Sequence, residues 1–180
     1  MKNLIVLFII SLTSLAFQNN SQLDLPNNAQ KKVHKAFDKL WDGAAVDYQQ
    51  ITITDEVQND LDADLKRLHL YRLSVDGQLK GYMFLSAAPS KYDYFDFMVI
   101  YNPDLSIALS EVLIYREGYG GEIGSSRWLK QFIGMTSDNE MRLDYDVQGI
   151  SGATISVRSA TNAIKRLTNS ITQLRSHGKL

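Results

Sequence analysis

Ser151-Gly152-Ala153-Thr154-Ile155-Ser156 places three hydroxyls and one glycine in six residues. The run lies between an extended stretch and the longest apolar-striped segment of the chain. At such a junction the backbone N–H groups that open a helix have no intrahelical partner, and the aligned peptide dipoles add partial positive charge. Small residues let an anion approach the backbone closely, so the chemistry on offer is a phosphate seat. The same residues also suit a plain helix start, with Thr154 or Ser156 accepting a hydrogen bond from an orphan amide. Both readings stand on the residues alone. A second glycine-rich stretch, Glu117-Gly118-Tyr119-Gly120-Gly121-Glu122-Ile123, can fold closely against a ligand because glycine tolerates positive φ. Its Glu117 is a hydrogen-bond acceptor for a ligand or a backbone amide, or simply a solvated charge at a strand end.

Other chemistries lack their residues. The 180-residue chain has no cysteine, which removes disulfides, iron–sulfur clusters, thiolate metal sites and thiol catalysis. His34, His69 and His177 are scattered without ligand spacing, so neither a metal site nor a histidine-based triad is expected. A net charge of -1 gives no electrostatic footprint for nucleic acid. Redox work in such a chain requires a non-metal cofactor.

The elements that must position these residues follow from periodicity. Hydrophobic residues are 44% and charged residues 22% of the chain, an ordinary globular composition. Ala29, Val33, Ala36, Phe37, Leu40 and Trp41 share one helical face, with Asn27 or Asn28 as the cap and Gly43 past the end. Tyr48 to Thr54 alternates loosely as a short strand, and Asp55 to Leu65 reads as a helical turn. From Leu68 to Arg116 the pattern is β. One run leads to Asp76-Gly77, a hairpin dipeptide; Leu79 to Ala87, Tyr94 to Tyr101 and Ile107 to Arg116 complete an antiparallel meander, because the links are too short to cross over. Ser125 or Ser126 caps a short helix from Arg127 to Ile133. Met141 to Ile150 reads as extended. Val157, Ala160, Ile164, Leu167, Ile171 and Leu174 form one stripe on a last helix from about Ser156 to Arg175. The fold class is α+β, an antiparallel sheet with helices packed against it.

At the N-terminus, Met1-Lys2-Asn3 precedes an apolar run from Leu4 to Leu15 and a small-x-small ending, Ser14-Leu15-Ala16. The run is short for a membrane span and fits a secretory signal cleaved after Ala16, with an uncleaved anchor as the alternative. The expected organisation is a signal peptide at 1–16, a flexible spacer at 17–27 and a single domain at 28–180.

The hydroxyl run resembles the flavinylation motif of the FMN-binding domain, [ST]-G-A-T-x-[ST]. That domain occurs in the FMN subunits of sodium-pumping NADH:quinone reductases and Rnf complexes, and in small exported electron-transfer proteins. A second stretch agrees. Glu117-Gly118-Tyr119-Gly120 followed by Arg127-Trp128-Leu129-Lys130-Gln131-Phe132 is similar to the family's Glu-x-x-Gly segment and its Trp-Leu-x-Gln-Phe helix. The resemblance covers roughly residues 65 to 170. Gln148 stands where the family usually has aspartate, with Asp146 two residues earlier, and the family's Glu-Thr-Pro-Gly-Leu-Gly is here Glu-Gly-Tyr-Gly-Gly-Glu.

The resemblance implies FMN joined through its phosphate to Thr154 by a dedicated flavin transferase. Ser151, Gly152 and Ala153 would then supply amides and room, and Ser156 a phosphate contact or a cap. Glu117, Tyr119, Gly120 and Gly121 would line the ribityl chain or ring, with Tyr119 and Trp128 as ring covers and a core position as the alternative for Trp128. The implied function is an exported flavoprotein electron carrier, periplasmic or on the outer face of the cytoplasmic membrane, serving membrane or periplasmic redox proteins. The competing readings are a noncovalent FMN or phosphate-ligand module and a cofactor-free interaction domain. A self-contained enzyme finds no acid–base pair or nucleophile dyad in this sequence.

Overall fold

The computed structural model describes residues 23–64 and 69–180. The expected signal peptide, the first part of the spacer, and Leu65 and Leu68 lie outside them. Five antiparallel strands form one sheet in the order β1-β2-β3-β4-β5: β1 Asp47–Ile51, β2 His69–Val75, β3 Gln78–Pro89, β4 Tyr94–Tyr101 and β5 Ile107–Ile114. This is the expected meander, extended at one edge by the short β1. Asp76 and Gly77 make the β2–β3 turn, both with positive φ (51° and 75°), the backbone a type I′ hairpin requires.

Helix α1 (Asn27–Trp41) covers one face of the sheet and α4 (Thr154–Ser176) the other. The side-chain alternation of the strands sends each residue set to its own cover. Phe84, Phe95, Phe97, Val99 and Tyr101 pack with Val157, Ile164, Leu167 and Ile171 of α4. Met83, Leu85, Met98 and Ile100 pack with Val33 and Phe37 of α1. With both faces buried, β4 reads as a nearly unbroken apolar run rather than a half-polar strand. A single turn, α2 (Asp55–Gln58), follows β1, and α3 (Ser126–Leu129) continues into a tighter turn through Phe132.

Polar side chains pin α4 to its surroundings. Thr168 Oγ1 and the buried Tyr101 hydroxyl lie 3.0 Å apart, Ser170 Oγ accepts the Ala63 N–H at 2.9 Å, and Gln173 Oε1 accepts the Asp62 N–H at 3.1 Å. Burial holds the Tyr101 phenol well above the usual tyrosine range.

Three expectations need correction. Neither Asn27 nor Asn28 caps α1; both lie inside its first turn, Pro26 is the cap position, and no side chain caps that end. Proline suits the start of a helix because it has no N–H to leave unpaired. The segment 141–150 is not extended. Tyr145, Asp146 and Val147 all donate their amides to the Arg142 carbonyl, and the Asp146 carboxylate accepts from the Arg142 N–H and guanidinium. These local bonds curl the chain into a tight loop, with Met141 and Asp144 at positive φ. The spacer expected at 17–27 is packed from Leu23 onward: Leu23 is buried against the α1 side of the core, and Gln30 Nε2 donates to the Leu23 and Leu25 carbonyls.

Candidate functional site

Helix α4 starts at Thr154, with Ala153 at the cap position and no side chain capping it. Its first closed backbone bond is Val157 N–H to Ala153 C=O at 2.9 Å. The amides of Thr154, Ile155 and Ser156 therefore precede the hydrogen-bonded ladder, and a 23-residue helix adds its dipole behind them. Gly152 approaches this end at φ 83°, where a side chain would be strained, and the space a Cβ would enter is open. Ser151, Gly152 and Thr154 are exposed, while Ala153 is buried and anchors the run in the core.

This helix end is the floor of a cleft of about 690 Å³, within the range of cofactor sites. Its walls are two loops: residues 91 and 92 from the β3–β4 turn, and residues 117–120 after β5. Thr154, Gly152, Ala153, Ser156, Glu117, Tyr119 and Gly120 all line it; Gly121 lies beside Tyr115 at the start of the next turn. Ser151 is not among its lining residues.

The loop after β5 is braced from below. The Tyr115 hydroxyl donates to the Tyr119 carbonyl at 2.9 Å. A phenol has one proton, so the 3.1 Å bond to Ser156 Oγ has the serine as donor. Ser156 is thus buried and committed to Tyr115, joining the floor to one wall, and does not cap α4. Gly120 has φ 83°, and a Cβ there would lie 2.8 Å from the Tyr115 hydroxyl.

The other wall is held by Glu117. One carboxylate oxygen accepts the Ser90 hydroxyl, the Tyr92 N–H at 2.7 Å and the Asp93 N–H at 3.2 Å. These donors, the Ser90 hydroxyl foremost, hold the carboxyl below the usual carboxylate range.

The lead-in to the hydroxyl run is clamped by α3. Ser125 caps that helix, as its sequence position suggests. Trp128 is buried, and its Nε1–H donates to the Gln148 carbonyl at 2.8 Å; Gln131 Oε1 accepts the Gln148 N–H at 2.8 Å. Trp128 is therefore a core residue with a polar handle, not part of the cleft. Gln148 itself is exposed, and Asp146 is occupied by Arg142 at 3.0 Å.

Sequence reasoning missed Lys91, Tyr92, Tyr115 and Gln131. Only Gln131 carried a signal, its place in the Trp-Leu-x-Gln-Phe pattern. The others reach the site through contacts that no local periodicity encodes.

Among known proteins, residues 93–169 match the family model described as FMN-binding domain. No curated protein matches the chain.

Proposed function

We propose, from the premise that residues 93–169 carry an FMN-binding domain, that this chain is an exported flavoprotein electron carrier holding FMN through a phosphoester to Thr154. The residues present fit the group. An uncapped helix end with three leading amides suits a phosphate, and the cleft above it has the volume and partly apolar walls that a flat ring needs. The observation that carries the reading is the position of Thr154, an exposed hydroxyl at that helix end on the cleft floor.

Each residue then has a stated task. Thr154 Oγ would give up its proton and take the flavin phosphate from a flavin dinucleotide donor, the donor's pyrophosphate P–O bond breaking and its nucleoside monophosphate leaving, a step performed by a flavin transferase. The leading amides of α4 and the open backbone at Gly152 accommodate the phosphate oxygens. Glu117 and Tyr115 hold the two walls. Bound FMN supplies the electron-transfer chemistry that no side chain here provides. Membrane or periplasmic redox proteins are the partners this role implies, and the apolar run at residues 4–15 supports export.

The test is intact mass after co-expression with a flavin transferase. Wild type gains the mass of FMN less water and fluoresces in a denaturing gel. Thr154→Ala gains nothing, yet keeps its melting behaviour within about 0.5 kcal/mol, because Thr154 makes no cap bond to lose. Thr154→Ser retains labelling. A fully labelled Thr154→Ala overturns the attachment site. Export is checked by N-terminal sequencing of protein from the native envelope, where the mature chain begins at Phe17.

One observation favours a second reading, noncovalent FMN held at the same helix end. Gln148 replaces the family's usual aspartate, and Asp146 is bound to Arg142 and does not stand in for it. In that case wild type carries FMN that is lost on denaturation, and Gln148→Asp converts it to covalent labelling.

A further inference from the structure

Six large hydrophobic side chains are exposed among the described residues, and three of them, Tyr92, Tyr119 and Ile155, line the cleft between the two loops above Thr154; Thr154 and Ile155 also border a second cleft that runs along α4 past Arg158 and Arg166. Tyr92 is 81% exposed and Tyr119 89%. They come from different loops, and both loops are immobilised at some cost in polar groups. Three donors of the 90–93 turn converge on a single oxygen of Glu117. Ser90, itself buried, also closes the turn by donating its backbone N–H to the Asp93 carbonyl at 2.7 Å. Tyr119 is fixed through its carbonyl by Tyr115. Lys91 Nζ lies 4.7 Å from the centre of the Tyr92 ring, so a cation already covers that ring from one side. Charged hydrogen bonds at the rim of the cleft that order a turn carrying a solvent-exposed aromatic do not pack the core. They pre-organise a flat apolar surface for something outside it.

We propose that Tyr92 and Tyr119 are the aromatic contacts of the flavin ring, one from each wall of the cleft, and that Glu117 is the positioning residue that presents Tyr92 to it. The inference rests on the flavin site proposed above and deepens it. It assigns Glu117 to the wall rather than to the cofactor, and it adds Tyr92, a residue that lies outside both recognised motifs. Aromatic rings stack with an offset on a planar conjugated system, and phenol side chains in contact quench flavin emission.

The experiment uses the flavin-loaded full chain. Flavin fluorescence yield and quenching by iodide are measured for wild type, Tyr92→Ala, Tyr92→Phe, Glu117→Ala, Glu117→Gln and the Tyr92→Ala/Glu117→Ala double variant. Tyr92→Ala is expected to raise emission severalfold and to open the ring to iodide. Tyr92→Phe keeps the shielding but raises emission, because its ring lacks the electron-donating hydroxyl. Glu117→Ala shifts both readouts in the direction of Tyr92→Ala, Glu117→Gln recovers part of the shielding through its remaining acceptor oxygen, and the double variant matches Tyr92→Ala. Tyr92 is exposed and far from the core, so melting curves of its variants stay unchanged. Emission and iodide access identical to wild type in Tyr92→Ala overturn the ring contact. A Glu117→Ala effect that adds in full to that of Tyr92→Ala overturns the positioning role. Should intact mass show no covalent flavin on wild type, the attachment reading fails separately, and the same proteins are titrated with free FMN. Quenched FMN that brightens on Tyr92→Ala supports the tyrosine contact; FMN quenched equally by both proteins, or bound by neither, overturns it.

Discussion

At the scale of single residues, the site depends on a few backbone and side-chain positions with no spare room. Gly120 is the tightest: φ is 83°, and a Cβ would meet the Tyr115 hydroxyl at 2.8 Å. Gly120→Val forces a β-branched residue into left-handed backbone and pushes Tyr115 off its two partners. The expected cost is about 1–3 kcal/mol, read by thermal melting, together with weaker flavin attachment read by in-gel fluorescence. Glu117 offers a pH test. Its folded pKa is depressed, so its contribution is present at neutral pH and is lost as pH falls through the lowered value. The difference in Tyr92 amide shift between wild type and Glu117→Gln should stay constant from neutral pH through the usual carboxylate range and change only below it. The hydroxyl run and the glycine loop were both legible in the sequence, since their residue types define their chemistry. Tyr92 was not, because its link to the site is a hydrogen bond to Glu117 across 25 residues, made only when the β3–β4 turn meets the loop after β5.

At the scale of elements, helix α3 acts as a clamp more than as a support. Its four residues bury Trp128 and Leu129, and together with the tighter turn that follows they direct two polar groups, Trp128 Nε1 and Gln131 Oε1, onto the backbone of Gln148. Gln131→Ala removes one of these and leaves the Gln148 amide to solvent, with an expected stability loss of about 1 kcal/mol. The larger effect should be on flavin labelling, since the lead-in to Thr154 is then held on one side only; a labelling time course with the transferase measures it. Most elements were readable because their periods are strong: the stripe from Val157 to Leu174 appears as the buried face of α4, and the Asp76-Gly77 turn as drawn. The failures are local. Residues 141–150 alternate like a strand, but Arg142 and Asp146 satisfy one another at a spacing of four, and the carbonyl of Arg142 collects three amides. Such short-range polar closure outcompetes a strand that has no neighbour to pair with.

At the scale of the whole molecule, α1 and α4 sandwich one antiparallel sheet, and the cleft opens at the end of α4 beside the turns that leave β3 and β5. The buried face of α4 is not purely apolar; Ser156, Thr161, Thr168 and Ser170 lie in it. Thr168→Val leaves the Tyr101 hydroxyl buried without its cross-element partner and should cost about 1–3 kcal/mol by chemical denaturation. Adding Tyr101→Phe should recover most of that loss, because a pair removed together leaves no orphan. An apolar stripe tolerates sliding: a helix displaced along its axis by one turn still buries leucines against leucines. The pairs Ser156–Tyr115, Thr168–Tyr101 and Ser170–Ala63 do not tolerate it, for each has a single address on the opposing surface. A one-turn slip would carry Thr154 about 5.4 Å along the axis and strand all three. The hydroxyls along α4 thus work as the teeth of a key, and the residue they index is the threonine at its tip.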